Sequence, residues 1–153
     1  SISGFSDGKM TPIFLAVMKG NFKVARLLID AGGNVNIGWE EKRSFSSSTT
    51  TPLAELPGNN YFGSRPARGE DRTAAAKLLL ENGADPNLLG QWEQSPLFKA
   101  IEHSRLDLVD LFLLHGADPN LRSGNDKKLP LVHARESGKV EIVRSLLKAG
   151  ASS

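Results

Sequence analysis

The chain has 153 residues, 39% hydrophobic and 24% charged, without cysteine. That length suits one domain with a real core, and the composition excludes disordered and membrane-spanning classes. A net charge of +2 and the missing thiols exclude a strong nucleic-acid footprint, disulfides and zinc–thiolate sites, and fit a reducing compartment.

The opening residues, SISGFSDGKM, hold no apolar run behind a basic start, so no secretory signal is expected. They also lack an initiator Met, which leads us to expect a segment of a longer protein. Thr11-Pro12 opens the first predicted helix. A hydroxyl there accepts from the orphan amides of the first turn, and a proline next to it forfeits no bond. Gly20 divides this helix from a second, FKVARLLIDAG.

Thr51-Pro52 opens the next pair, and Pro57-Gly58 should stop its first helix after about one turn. AAAKLLLENG (74–83) is the partner helix. Ser95-Pro96 starts a third pair that turns at Ser104 and continues as LDLVDLFLLHG. There Leu106, Leu108, Val109, Leu111, Phe112 and Leu113 occupy more than one face, so neighbours must cover that helix on several sides. Leu129-Pro130 opens the last pair without a hydroxyl cap and should start less firmly, turning at Gly138 into VEIVRSLLKAG.

These segments are copies of one unit. NGADPN (82–87) recurs 33 residues later as HGADPN (115–120), with looser copies GGNVN (32–36) and AGASS (149–153). Proline to helix-ending glycine is 20 residues for Pro12–Gly32, Pro96–Gly116 and Pro130–Gly150, but 31 for Pro52–Gly83. The glycine supplies a left-handed helix end, and Pro86 and Pro119 prevent resumption. Asp85, Asn87, Asp118 and Asn120 are expected to favour the turn by bonding to their own backbone.

The TPIFLA, TPLAEL, SPLFKA and LPLVHA openings, with the GADPN turns, resemble ankyrin repeats. The resemblance implies an all-α solenoid of stacked helix-turn-helix units with β-hairpin loops. It implies one domain over 1–153, with repeats at about 7–36, 37–87, 88–120 and 121–153. The histidine usual in the first helix is replaced by Phe14, Ala54, Phe98 and Val132, so its usual bond to a neighbouring repeat should be missing. Apolar residues on both faces of VEIVRSLLKAGASS suggest that further repeats adjoin. The second repeat carries two insertions, 38–50 and 57–71, which are expected to be neighbours in space and which hold the aromatics Trp39, Phe45, Tyr61 and Phe62.

No catalytic or metal motif emerges. His103 is expected at the exposed end of a helix, His115 beside a helix-ending glycine, and His133 as a packed, hydrogen-bonded core residue; none lies in HExxH. SGKV (137–140) lacks the upstream glycine of a phosphate loop, and Glu40/Glu41 and Glu70/Asp71 read as solvated loop charge. We therefore expect no enzyme, cofactor, nucleic-acid partner or membrane insertion, and an intracellular location, cytoplasmic or nuclear.

The resemblance implies instead a protein or peptide ligand in the concave groove of hairpin tips and first helices. Carried over by position, the contacts would be Met18 and Lys19; Leu89, Gln91, Trp92, Gln94, Glu102 and His103; and Arg122, Asp126, Lys128, Glu136 and Ser137. Trp39 and Phe45 of the first insertion join them. Trp92 leads, because an exposed groove tryptophan is the type most enriched at hot spots. A free-standing inhibitor of an enzyme such as a protein kinase is the alternative, since the size and broken second-repeat helix resemble the four-repeat cyclin-dependent kinase inhibitors.

Overall fold

A computed structural model describes residues 9–43, 46–59, 61–62, 65–66 and 68–152. Its eight described α-helices form four pairs: α1 (Pro12–Met18) with α2 (Phe22–Asp30), α3 (Pro52–Glu55) with α4 (Gly69–Glu81), α5 (Pro96–Glu102) with α6 (Leu106–Leu114), and α7 (Pro130–Glu136) with α8 (Val140–Lys148). The starts follow local chemistry. Thr11, Thr51 and Ser95 accept the backbone N–H of Phe14, Ala54 and Phe98 at 3.2, 3.1 and 3.1 Å, whereas Leu129 offers α7 no side-chain cap. The ends are equally regular: Gly32, Gly83, Gly116 and Gly150 all have φ of 93–96°. Ser104 takes the left-handed turn, φ 56°, that Gly20 and Gly138 make elsewhere.

Helices α1, α3, α5 and α7 lie side by side as an inner row, and α4, α6 and α8 stand behind them. Between the rows lies one continuous core, with Val17, Leu53, Leu56, Leu79, Leu97 and Phe112 among its fully buried side chains. This is the all-α stacked solenoid with hairpin loops that the repeat implies. The coverage expected for α6 is present, with Leu108, Val109, Leu111 and Phe112 all buried.

The recurring turn differs from expectation in one respect. Asp85 and Asp118 do bond locally, accepting the N–H of Asn87 and Asn120 at 2.9 and 2.8 Å. The asparagines instead reach across to the next repeat. Asn36 accepts from Asp85 N–H (2.7 Å) and donates to the Gly83 carbonyl (3.1 Å). Asn87 does the same with Asp118 and Gly116, and Asn120 with Ser152 and Gly150. A primary amide carries both a donor and an acceptor, so it can close such a two-bond rung where an aspartate cannot.

The described residues of the first insertion form a ribbon. Strands β2 (Trp39–Arg43) and β3 (Ser46–Thr50) pair antiparallel from Trp39↔Thr50 to Arg43↔Ser46, and β1 (Lys9–Met10) adds to the other edge of β2. Phe45 lies outside the described residues. In the second insertion α3 gives way after Glu55 to a tight turn at Leu56–Gly58, as Pro57 and Gly58 predict. A small hairpin follows, β4 (Tyr61–Phe62) with β5 (Arg65–Pro66), and β4 packs against α1.

Helix α4 then starts at Gly69, earlier than its apolar pattern suggests. Glu70 and Asp71 are therefore first-turn residues and not loop charge, and Asp71 accepts the Arg68 backbone N–H at 3.0 Å. Glu40 and Glu41 likewise belong to a strand. The backbone carbonyl of Asn59 is held by the buried Arg72, whose Nε donates to it at 2.9 Å.

Candidate functional site

The inner row and the hairpin tips leave two concave features. The first lies over α5 and α7. Its edge is the tight turn Gln91–Glu93, where Trp92 and Glu93 both adopt left-handed backbone, φ 60° and 54°. Two successive non-glycine residues in that region cost on the order of 1–3 kcal/mol each and persist only where the surroundings enforce them. Here the next hairpin does so: Gly124 N–H donates to the Glu93 carbonyl at 2.9 Å, and Lys127 pairs with the Glu93 carboxylate. The consequence is that Trp92 stands 68% exposed and does not fold onto the second repeat.

Beneath it is a groove of about 220 Å³ lined by Gln94, Phe98, Glu102, Asp126, Lys128 and His133. Lys128 bonds Glu136 at 2.5 Å and lies 3.9 Å from Asp126; the bond to Glu136 holds its ammonium pKa above the ordinary value. Phe98, at the position of the absent histidine, stacks on the His133 ring of the next repeat, centroids 4.3 Å apart and planes at 17°. His133 is packed as expected but not fully bonded, because its buried Nε2 has no hydrogen-bond partner among the described residues. Burial pushes its pKa down, with Lys139 adding to the effect. Arg122 braces its own hairpin by donating to the Lys127 carbonyl (3.0 Å), and Ser137 caps α7 at the exposed rim.

The second feature is a cleft of about 540 Å³ across the first three helix pairs. Phe14, Met18 and Lys19 of α1 and its cap form one wall, and Lys99 and His103 of α5 and its cap the other. Glu55, Gly58 and Asn59 make the floor, while Met10 and Trp39 come from β1 and β2. His103 is therefore half-buried here and not at an exposed helix end, and burial lowers its pKa. His115 does sit exposed as the cap of α6. Trp39 also borders a smaller pocket of about 380 Å³ with Ile37, Leu88 and Leu89.

The positions carried over from the repeat pattern thus fall into two groups, Trp92, Gln94, Glu102, Asp126, Lys128 and Glu136 in one, and Met18, Lys19, Trp39 and His103 in the other. Leu89 lies beside the second, and Gln91 belongs to the Trp92 turn. Sequence reasoning missed Met10, Glu55, Asn59 and Lys99. The signal for them was Gly58, which leaves room where the sibling helices carry Met18, Glu102 and Glu136. Among the described residues no group of three or more His, Asp or Glu is placed to hold a metal, and no helix is long and apolar enough to cross a membrane.

Comparison with known proteins adds a family. A model described as ankyrin repeats (3 copies) matches residues 67–153, and one described as ankyrin repeat matches residues 9–38. The mouse B-cell lymphoma 3 protein homolog is 30% identical over 95% of this chain, which spans 37% of that protein. Mouse ankyrin repeat and SOCS box protein 16 is 28% identical over 77% of the chain and 24% of its own length. Rat cyclin-dependent kinase 4 inhibitor B is 30% identical over 63% of the chain and 73% of the inhibitor.

Proposed function

Because this chain belongs to the ankyrin-repeat family, we propose that it is a non-catalytic interaction module that grips a protein or peptide through the Trp92 groove. The module is one domain with repeats at about 7–36, 37–87, 88–120 and 121–153, part of a larger intracellular scaffold or regulatory protein. The observation that carries this reading is Trp92, held outward on a strained tip that the neighbouring repeat enforces. Strain kept at an exposed aromatic suits an anchor presented in advance to a partner. The surrounding Asp126, Lys128, Glu136 and Glu102 supply mixed charge suited to selecting the partner. Continuation of the stack is supported at α8: Val140 and Leu147 are exposed, whereas their α6 equivalents, Leu106 and Leu113, are half-buried under the next repeat.

The test is a partner captured on the immobilised chain and then titrated against wild type and Trp92→Ala. An unchanged circular dichroism spectrum would establish that the variant is folded. We expect a loss of ~2 kcal/mol or more, roughly 30-fold in Kd; equal affinity would remove the groove from consideration. The enzyme-inhibitor alternative is supported by the alignment with cyclin-dependent kinase 4 inhibitor B. Addition of the purified chain to a cyclin-dependent kinase 4 assay separates the two, since a scaffold leaves phosphorylation unchanged.

A further inference from the structure

The inner row is broken at one place. Helices α1, α5 and α7 run for 7 residues each, but α3 runs for 4. A tight turn over Leu56–Gly58 completes the same stretch, so that glycine stands where α1, α5 and α7 carry Met18, Glu102 and Glu136. The 540 Å³ cleft lies over it, between Met18 and the Lys99–His103 wall. Gly58 keeps its floor low, for a Cβ there would come within 3.1 Å of both the His103 ring and the Lys99 side chain.

The walls are apolar and adaptable. Both methionines of the chain, Met10 and Met18, line the cleft with Phe14 and Trp39. The unbranched thioether side chain conforms to differently shaped guests. The charge is one-sided. Glu55 is already engaged, its Oε1 accepting from the Thr50 hydroxyl at 2.9 Å and its Oε2 from Lys99 at 3.0 Å. Lys19 is exposed at the rim and has no carboxylate partner among the described residues. The free charge at this cleft is therefore positive.

We propose that the cleft is a second subsite, separate from the Trp92 groove, that takes a Leu, Met or Phe side chain of a partner segment carrying an Asp or Glu close by to pair with Lys19. This rests on the protein-binding reading above and adds to it the chemistry of the bound segment. A fully apolar segment would forgo the attraction of Lys19 at the rim, and a basic one would be repelled.

The test uses a phage-displayed library of random peptides, selected on the whole wild-type chain and counter-selected on Gly58→Leu, which fills the cleft and leaves the Trp92 groove intact. Thermal melting shows whether Gly58→Leu is folded. Lys19→Glu, at an exposed position, is the second variant and does not depend on that result. Surviving peptides should share an acidic residue beside a bulky apolar one. Measured by fluorescence anisotropy, they should lose about tenfold or more in affinity to Lys19→Glu and bind Trp92→Ala as tightly as wild type.

Survivors without an acidic residue, survivors indifferent to Lys19→Glu, or no survivors overturn the cleft subsite. A partner that loses affinity to Trp92→Ala but is indifferent to Lys19→Glu also overturns it, while the groove reading stands.

Discussion

His133 lies half-buried against the Phe98 ring, and its imidazolium form is disfavoured there. Burial is the main cause; Lys139 and Lys128 add repulsion, and Glu102 and Glu136 oppose it. With the folded pKa below the unfolded one, the unfolded chain takes up the proton more readily. The stability contributed by the neutral ring is complete above the unfolded imidazole value of ~6.5 and is lost as pH falls through the folded pKa. His133→Phe keeps an aromatic ring against Phe98 and removes the titration, while His103 continues to titrate in both proteins. Between roughly pH 7.5 and pH 5, the Tm of wild type should therefore fall further than that of the variant. Parallel Tm curves in a pH series would show that the stack imposes no shift.

At the scale of the element, the helix-ending turn gives a case where copies of the unit mislead. Ala84, Ala117 and Ala151 follow their glycines, but Gly33 stands at the corresponding place in the first repeat. Matching it to its siblings would suggest that Gly33→Ala stabilises by ~0.4–1 kcal/mol through the unfolded chain. The packing argues the opposite. A Cβ at Gly33 would lie 2.8 Å from the Leu28 carbonyl oxygen and would collide with Cδ1 of Ile13, itself a buried side chain. We expect about 1–2 kcal/mol of destabilisation, in line with other overpacked sites, read as a lower urea midpoint at unchanged m-value. The caps of α1, α3 and α5 were legible because each joins residues three apart. The early start of α4 was also signalled, by Glu70 and Asp71 where a helix N-terminus favours acids, but the apolar pattern drew the boundary later.

For the molecule as a whole, a one-dimensional stack is most stable where neighbours cover both sides. The two middle pairs are the most enclosed: α4 buries Ala75, Ala76, Leu78, Leu79 and Leu80, α5 buries Pro96, Leu97, Phe98, Ala100 and Ile101, and α6 four residues, while α2 buries only Ala25. Native-state hydrogen exchange should find the slowest amides in α4, α5 and α6 and faster ones in α2 and α8. Uniform protection along the chain would indicate a single cooperative unit with no gradient. The same linear arrangement explains why two separate concave features coexist, one over α5 and α7, the other over the turn at Gly58.

The sequence by itself determined the repeat, its capped helix starts, its left-handed helix ends and the early stop of α3. All of these are set by interactions within about one helical turn or by plain residue spacing. Only the tertiary structure decided that Asn36, Asn87 and Asn120 bond to the following repeat, that Phe98 meets His133, that Gly33 has no room for a methyl, and that Met10, Glu55 and Lys99 share a cleft with Lys19. The physical reason is that those relations join residues far apart in sequence, and which side chains face one another across the stack depends on the packing distance between repeats.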